Sequence, residues 1–225
     1  MYGQAGQIVA FHGRSHQGLV RDANEDAWWA SEDGGLLVVA DGMGGLRFGR
    51  WASDQVVRAM SGINRVSQVG HMQANVEAAL RRANWEIYNQ ARHLGARMGT
   101  TVAAICFTNR DALISWCGDS RVYIMRSGRL YQLTADHVTT MASGKEALSR
   151  AVGVEARVSP EFKRIRVQSG DRLLLCTDGV HHMLDDEDLA ILLNVGDCQQ
   201  AVAAIERQVL ARGAPDNLTL IVVDL

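Results

Sequence analysis

Proline is almost absent, with two residues in 225, so a Pro-rich linker or stalk is excluded. Long hydrophobic runs are missing too. The run Leu36-Leu37-Val38-Val39-Ala40 has five residues, far below the roughly 20 that span a bilayer, so no membrane partner is expected. Neither charge dominates: 23 Lys and Arg stand against 25 Asp and Glu, a net charge of −2. A nucleic-acid or anionic-membrane binder depends on a basic excess to displace counterions, and this chain has none. Met1 to His12 carries no Lys or Arg and no cleavable apolar core, so a secretory leader is not expected. The four cysteines, Cys106, Cys117, Cys176 and Cys198, form no C-x-x-C pair and are too scattered to staple the chain. Three lie in apolar strand-like runs, where Cys packs as a small hydrophobe, and a reduced cytoplasmic setting follows.

What is present is a sizeable apolar fraction, 47%, together with 22 glycines, which fits a packed core with many tight turns. Composition does not shift along the chain, and a single domain over residues 1–225 is expected. Strand-like segments at Ile8–Arg14, Asp26–Ser31 and Leu36–Ala40 precede two helical ones, Gly49–Ile63 and Met72–Leu94. In the second, Val76, Leu80, Ala83, Ile87 and Ala91 recur on one helical face. Strand patterns return at Thr101–Phe107, Ala112–Cys117, Arg121–Arg126 and Leu130–Leu133, with Asn109-Arg110-Asp111 and Ser127-Gly128-Arg129 as hairpin turns. After a polar stretch come strands at Glu161–Val167 and Arg172–Cys176, helices at Asp186–Leu193 and Cys198–Ala211, and a closing strand, Leu218–Asp224. Runs of strands, then helices, then strands argue for an α+β class rather than alternating βαβ units. Roughly ten strands are too many for one small sheet, so two sheets packed face to face with helices outside are expected.

Five aspartates sit at strand ends beside Gly or Asn: Asp26, Asp41, Asp119, Asp178 and Asp216. One alone reads as a turn residue, because Asp bonds its local backbone. The set has a direction. Asp41, Asp119 and Asp178 close their strands while Asp26 and Asp216 open theirs, so antiparallel neighbours gather all five at one rim. Carboxylates so placed repel one another unless protonated or neutralised by cations. All-oxygen donors select hard ions such as Mg²⁺ or Mn²⁺ over Zn²⁺. The seven histidines show no ligand spacing, and His181-His182 would diverge if they lay on a strand. The loop Asp41-Gly42-Met43-Gly44-Gly45-Leu46-Arg47 lacks both G-x-G-x-x-G and P-loop spacing, so a Gly carbonyl beside a metal explains it better than a nucleotide cradle.

Taken together, Gly18-Leu19-Val20-Arg21, Asn24-Glu25-Asp26, Val39-Ala40-Asp41-Gly42-Met43-Gly44-Gly45, Met98-Gly99-Thr100-Thr101, Gly118-Asp119-Ser120-Arg121, Leu133-Thr134-Ala135-Asp136-His137, Cys176-Thr177-Asp178-Gly179 and Asp216-Asn217-Leu218-Thr219 resemble the metal-dependent protein phosphatase family. The resemblance is to its type 2C Ser/Thr phosphatases in their bacterial form, and it covers nearly the whole chain in order. It implies a four-layer αββα sandwich and a binuclear Mn²⁺ or Mg²⁺ centre with a third, weaker ion. Asp41 would bridge both ions, the Gly42 carbonyl would bind one, and Asp178 and Asp216 the other. Glu25 and Asp26 would act through bound waters, Asp119 would hold the third ion, Arg21 would grip the substrate phosphate, and Asn217 would orient its neighbour. The implied chemistry is hydrolysis of phosphoserine and phosphothreonine by a metal-bridging hydroxide, with Arg21, Asp41 and Asp178 as the catalytic residues. Implied partners are phosphorylated proteins and, indirectly, a cognate Ser/Thr kinase, with a monomer favoured. The absence of a Cys followed six residues later by Arg, and of a G-x-S-x-G elbow, agrees with a mechanism lacking a covalent phosphoenzyme. The alternatives are a noncatalytic signalling module of the same fold and a small-molecule phosphoesterase.

Three positions depart from the family pattern. Met43 stands where many eukaryotic members carry a His that protonates the leaving group. His16 replaces an Asp common in relatives and reads as a surface change. The flap, residues 136–153, is short, with ten residues between His137 and Leu148, which should leave the metal centre more open.

Overall fold

The computed structural model describes residues 8, 10–45, 47–64, 66–108, 111–141, 144 and 146–225. Val9 of the expected first strand, Leu46 of the glycine loop and Asn109 and Arg110 of the expected hairpin turn lie outside the described residues, as does most of the expected leaderless N-terminus.

Two five-stranded antiparallel sheets form the centre. One orders β1 (Ala10–His16), β14 (Leu218–Asp224), β13 (Arg172–Cys176), β8 (Arg121–Arg126) and β9 (Arg129–Gln132). The other orders β12 (Glu161–Arg166), β7 (Asp111–Cys117), β6 (Val102–Phe107), β3 (Leu36–Ala40) and β2 (Ala27–Ala30). Helices α1 (Arg47–Ser61) and α2 (Val69–Leu94) cover the second sheet; α4 (Asp186–Leu193) and α5 (Cys198–Ala211) cover the first.

The central strands read as unbroken apolar runs because both of their faces are buried. Side chains alternate across a strand, so Leu36, Val38 and Ala40 of β3 meet α1 and α2 while Leu37 and Val39 meet the opposite sheet. Leu173 and Leu175 of β13 enter that same inter-sheet layer, and Leu174 and Cys176 turn outward to α5. Three apolar layers separated by two sheets make the αββα sandwich. Each fully buried Leu or Val contributes about 1.5–3 kcal/mol relative to exposure. The helical stripe Val76, Leu80, Ala83, Ile87 and Ala91 is buried on α2, which ends on Gly95 in the left-handed conformation. Helices α4 and α5 each begin with a capping box, on Asp185 and Asp197. All four cysteines are buried in these layers.

Several short elements differ from expectation. Gly42–Met43 (β4) pairs with Gly99–Thr100 (β5), and a single helical turn, α3, spans Asp178–His181. The polar stretch after Asp136 contains a hairpin of β10 (Val138–Thr140) and β11 (Glu146–Leu148).

Candidate metal centre

The strand register explains why the five aspartates converge. Ala27 pairs with Ala40, which sets Asp26 beside Asp41, and Cys176 pairs with Leu220, which brings Asp178 near Asp216. Val102 pairs with Cys117, placing Asp119 at the same end. A cavity of about 490 Å³ opens there, lined by Arg21, Glu25, Asp41, Gly42, Asp119, Asp178, Asp216 and Asn217. The ninth expected residue, Asp26, is buried beneath the rim at 1% exposure.

The loops carrying these groups are tied across the fold. The Asp41 amide donates to the Thr101 hydroxyl (3.0 Å), and the Asp41 carbonyl accepts from the Thr101 amide (2.9 Å) and the Thr100 hydroxyl (2.8 Å). Thr101 in turn shares a 2.6 Å hydrogen bond with Ser120, beside Asp119. Sequence reasoning gave Thr100, Thr101 and Ser120 no role; only their place in the Met98–Thr101 and Gly118–Arg121 motifs marked them. Gly42 admits no side chain, since a Cβ would lie 2.1 Å from the Gly49 carbonyl oxygen. Asn217 has all its amide groups engaged: its nitrogen donates to the carbonyls of Gln17 (2.7 Å) and Ala23 (2.9 Å), and its oxygen accepts from the Glu25 amide (2.8 Å). The segment from Gln17 to Glu25 is thereby fastened to the start of β14, which positions Arg21, Glu25 and Asp26 together.

His16, expected as a surface change, is half-buried. Its Nδ1 accepts from the Gly18 amide at 2.9 Å, shaping the turn that leads to Arg21. His181 and His182 also depart from expectation: they close a helical turn rather than lie on a strand. Their rings meet edge to face with centroids 4.8 Å apart. Burial pushes the His181 pKa down to about 3, so the ring is neutral and its Nε2–H donates to the Asp119 carbonyl (3.0 Å). His182 Nδ1 lies 3.4 Å from Asp178 Oδ2.

Electrostatics at the rim follow from burial first and from crowding second. Burial, reinforced by Asp178 and Asp216 and opposed by hydrogen bonds from Thr219 and Thr177, pushes the Asp26 pKa up to about 7. Asp119 rises to about 6 through burial and then Asp178. Asp41 is held well above the usual carboxylate range by burial and by the charges of Asp26 and Asp178. Asp178 is raised by burial as well. Arg21 Nη2 donates to Asp216 Oδ2 at 2.5 Å, an ion pair that raises the Arg21 pKa.

These residues fit divalent cations. The donors are all oxygen, and Asp26 Oδ1 and Asp178 Oδ1 are buried without a hydrogen-bond partner among the described residues. No three His, Cys, Asp or Glu side chains among the described residues already stand as a metal-holding group. Two of the carboxylates have protein partners: a guanidinium satisfies Asp216, and Thr177 holds Asp26 Oδ2 (2.9 Å).

The double-sheet sandwich thus carries an all-oxygen, carboxylate-lined cavity at its strand ends with an arginine on the rim. Residues 12–219 match the family model described as Protein phosphatase 2C, and the chain belongs to that family. It is 33% identical over 234 residues to the serine/threonine protein phosphatase PstP of Mycobacterium tuberculosis, covering 97% of this chain and 45% of PstP. The chain thus spans about half the length of that curated relative. Among solved structures, PppA of Pseudomonas aeruginosa superposes with a TM-score of 0.91 at 32% identity, over 96% of this chain and 98% of that one. The catalytic domain of PstP in complex with two manganese ions gives 0.86 at 32% identity, over 96% and 98% of the two chains.

Proposed function

We propose that this chain is a divalent-metal-dependent protein Ser/Thr phosphatase that hydrolyses phosphoserine and phosphothreonine by direct attack of water. The observation that supports this most is the gathering of Asp41, Asp119, Asp178 and Asp216 at one cavity with Asp26 buried beneath them, the pKa values of Asp26, Asp41, Asp119 and Asp178 being raised by burial and by one another's charge. Asp41 and the Gly42 carbonyl would hold one Mn²⁺ or Mg²⁺, and Asp41, Asp178 and Asp216 the second. Asp119 would hold a weaker third, and Glu25 and Asp26 would act through waters. Such a pair of cations supplies water activation and neutralisation of phosphate charge.

The chain's own residues do the rest. Arg21, always charged and planar, exchanges Asp216 for the phosphate oxygens. Thr101 and Ser120 hold the Asp41 and Asp119 turns in fixed relation, and Asn217 keeps the Arg21 loop against β14. We assign the described residues to one catalytic domain with a short flap over 136–153, and we read the protein as a cytoplasmic monomer opposing a Ser/Thr kinase. The absence, among the described residues, of a helix long and apolar enough to cross a membrane is compatible with that placement. Phosphate release from a phosphothreonine peptide and from an aryl phosphate, with Mn²⁺ or with EDTA, tests the reading. Turnover of both, abolished by EDTA, is expected; turnover of the aryl phosphate alone would favour a small-molecule phosphoesterase, and turnover of neither a noncatalytic module.

A further inference from the structure

A second cavity, about 860 Å³, adjoins the metal centre and shares Met43, Gly44, Ala147 and Leu148 with it as a common wall. Its size lies within the roughly 300–1,000 Å³ of ligand clefts. It runs between the end of α2, strand β11 of the flap and the segment 149–159. Its floor is apolar, with Met98 buried and Tyr88 and Val158 half-buried. Its charge is one-sided: Arg92, Arg97, Arg150 and Arg157 line it against Glu155. Arg150 is committed to Glu161 at 2.9 Å. Arg92, Arg97 and Arg157 are exposed and form no ion pair with the described residues; Arg92 stacks over the Tyr88 ring, 5.8 Å from its centroid. A chain of net charge −2 therefore collects three uncompensated guanidinium groups beside its phosphoester site.

The wall is built in place. Asn84 of α2 donates to the Glu155 carbonyl (3.0 Å) and accepts from the Gly153 amide (2.7 Å). Gly153, at φ +90°, lies so close to Ile87 that a Cβ would fall 2.1 Å from its Cγ2.

We infer that this groove docks the polypeptide flanking the phosphorylated residue and selects substrates with Asp or Glu beside it. Acidic side chains would meet Arg92, Arg97 and Arg157 while an apolar neighbour covers Met98 and Tyr88. The inference rests on the phosphatase reading above and adds a sequence preference to it. Partly exposed charge pairs each supply about a 1.4- to 5-fold factor, so three together give a factor on the order of ten.

The test compares two phosphothreonine peptides with identical apolar residues, one with Asp/Glu flanks and one with Lys flanks, and an aryl phosphate as reference. The wild type should show kcat/KM about tenfold higher for the acidic peptide, with the ratio shrinking at high salt. Combined Arg92→Glu, Arg97→Glu and Arg157→Glu should erase or invert that preference and leave aryl phosphate turnover within about twofold, whereas the three Arg→Lys changes should retain it. Equal rates on the two peptides, or a preference that survives charge reversal, would overturn the groove and leave the phosphatase reading standing. Turnover of the aryl phosphate with neither peptide would overturn both.

Discussion

Arg21→Ala should move metal affinity and catalysis in opposite directions. In the structure the Arg21 guanidinium neutralises Asp216, with Nη2 to Oδ2 at 2.5 Å, and that same carboxylate is assigned to a cation. Loading the site therefore breaks an ion pair. The side chains are 53% and 33% exposed, so the worth of the pair is that of a surface bridge, about 0.2–1 kcal/mol, rather than the larger figure of a buried one. Removing Arg21 relieves that competition and leaves Asp216 repelling Asp178 and Asp26, which favours a cation further. Isothermal titration with Mn²⁺ should show one site tightened by about 1.4- to 5-fold, the same energy expressed as an affinity ratio. Phosphopeptide kcat/KM should fall at the same time, because the phosphate loses its planar donor. Unchanged or weaker Mn²⁺ binding in Arg21→Ala would refute the competition between Arg21 and the metal for Asp216.

Metal uptake should release protons near pH 6, where Asp26 and Asp119 are still partly protonated, and release fewer at pH 8; titrations in buffers of different ionisation enthalpy measure this. The same shift gives a sign for stability. Because the Asp26 pKa is raised from 3.8 to about 7 in the folded state, its contribution is fully present below the unfolded value and is lost as pH rises through 7, so in EDTA the Tm should fall across that window. A Tm that climbs there for the wild type and not for Asp26→Asn would contradict the assignment. Gly42→Ala should cost about 1–3 kcal/mol or more, since its Cβ would meet the Gly49 carbonyl at 2.1 Å; a Tm unchanged from wild type would show that the turn relaxes freely. Asn217→Ala removes three hydrogen bonds from a buried amide and should cost about 2–4 kcal/mol by urea unfolding, with a loss below about 0.5 kcal/mol inconsistent with its clamping role.

Strands β3, β8, β13 and β14 and helices α4 and α5 coincide with their sequence patterns because each has a buried apolar face that imposes a period on the residues. The β4–β5 and β10–β11 ladders are two or three residues long, too short for any period, and the first is held by pairing between distant segments. At the site, the carboxylates were legible because each closes or opens an apolar strand. The Arg21–Asp216 pair, the Thr101–Ser120 link and the Asn217 clamp were not, since they join residues 195, 19 and about 200 positions apart whose distance only the folded sandwich sets. His16 illustrates the same limit: an imidazole replacing a carboxylate can still accept an amide hydrogen bond, and only the turn geometry shows that it does.

The central claim, hydrolysis of phosphoproteins at a carboxylate-held metal centre, is tested most directly by phosphate release from a phosphothreonine peptide under Mn²⁺ titration, for the wild type and Asp41→Ala. Turnover that rises with Mn²⁺, vanishes in EDTA and is lost in the variant is the predicted result. Turnover that persists in EDTA, or that Asp41→Ala leaves intact, would contradict it.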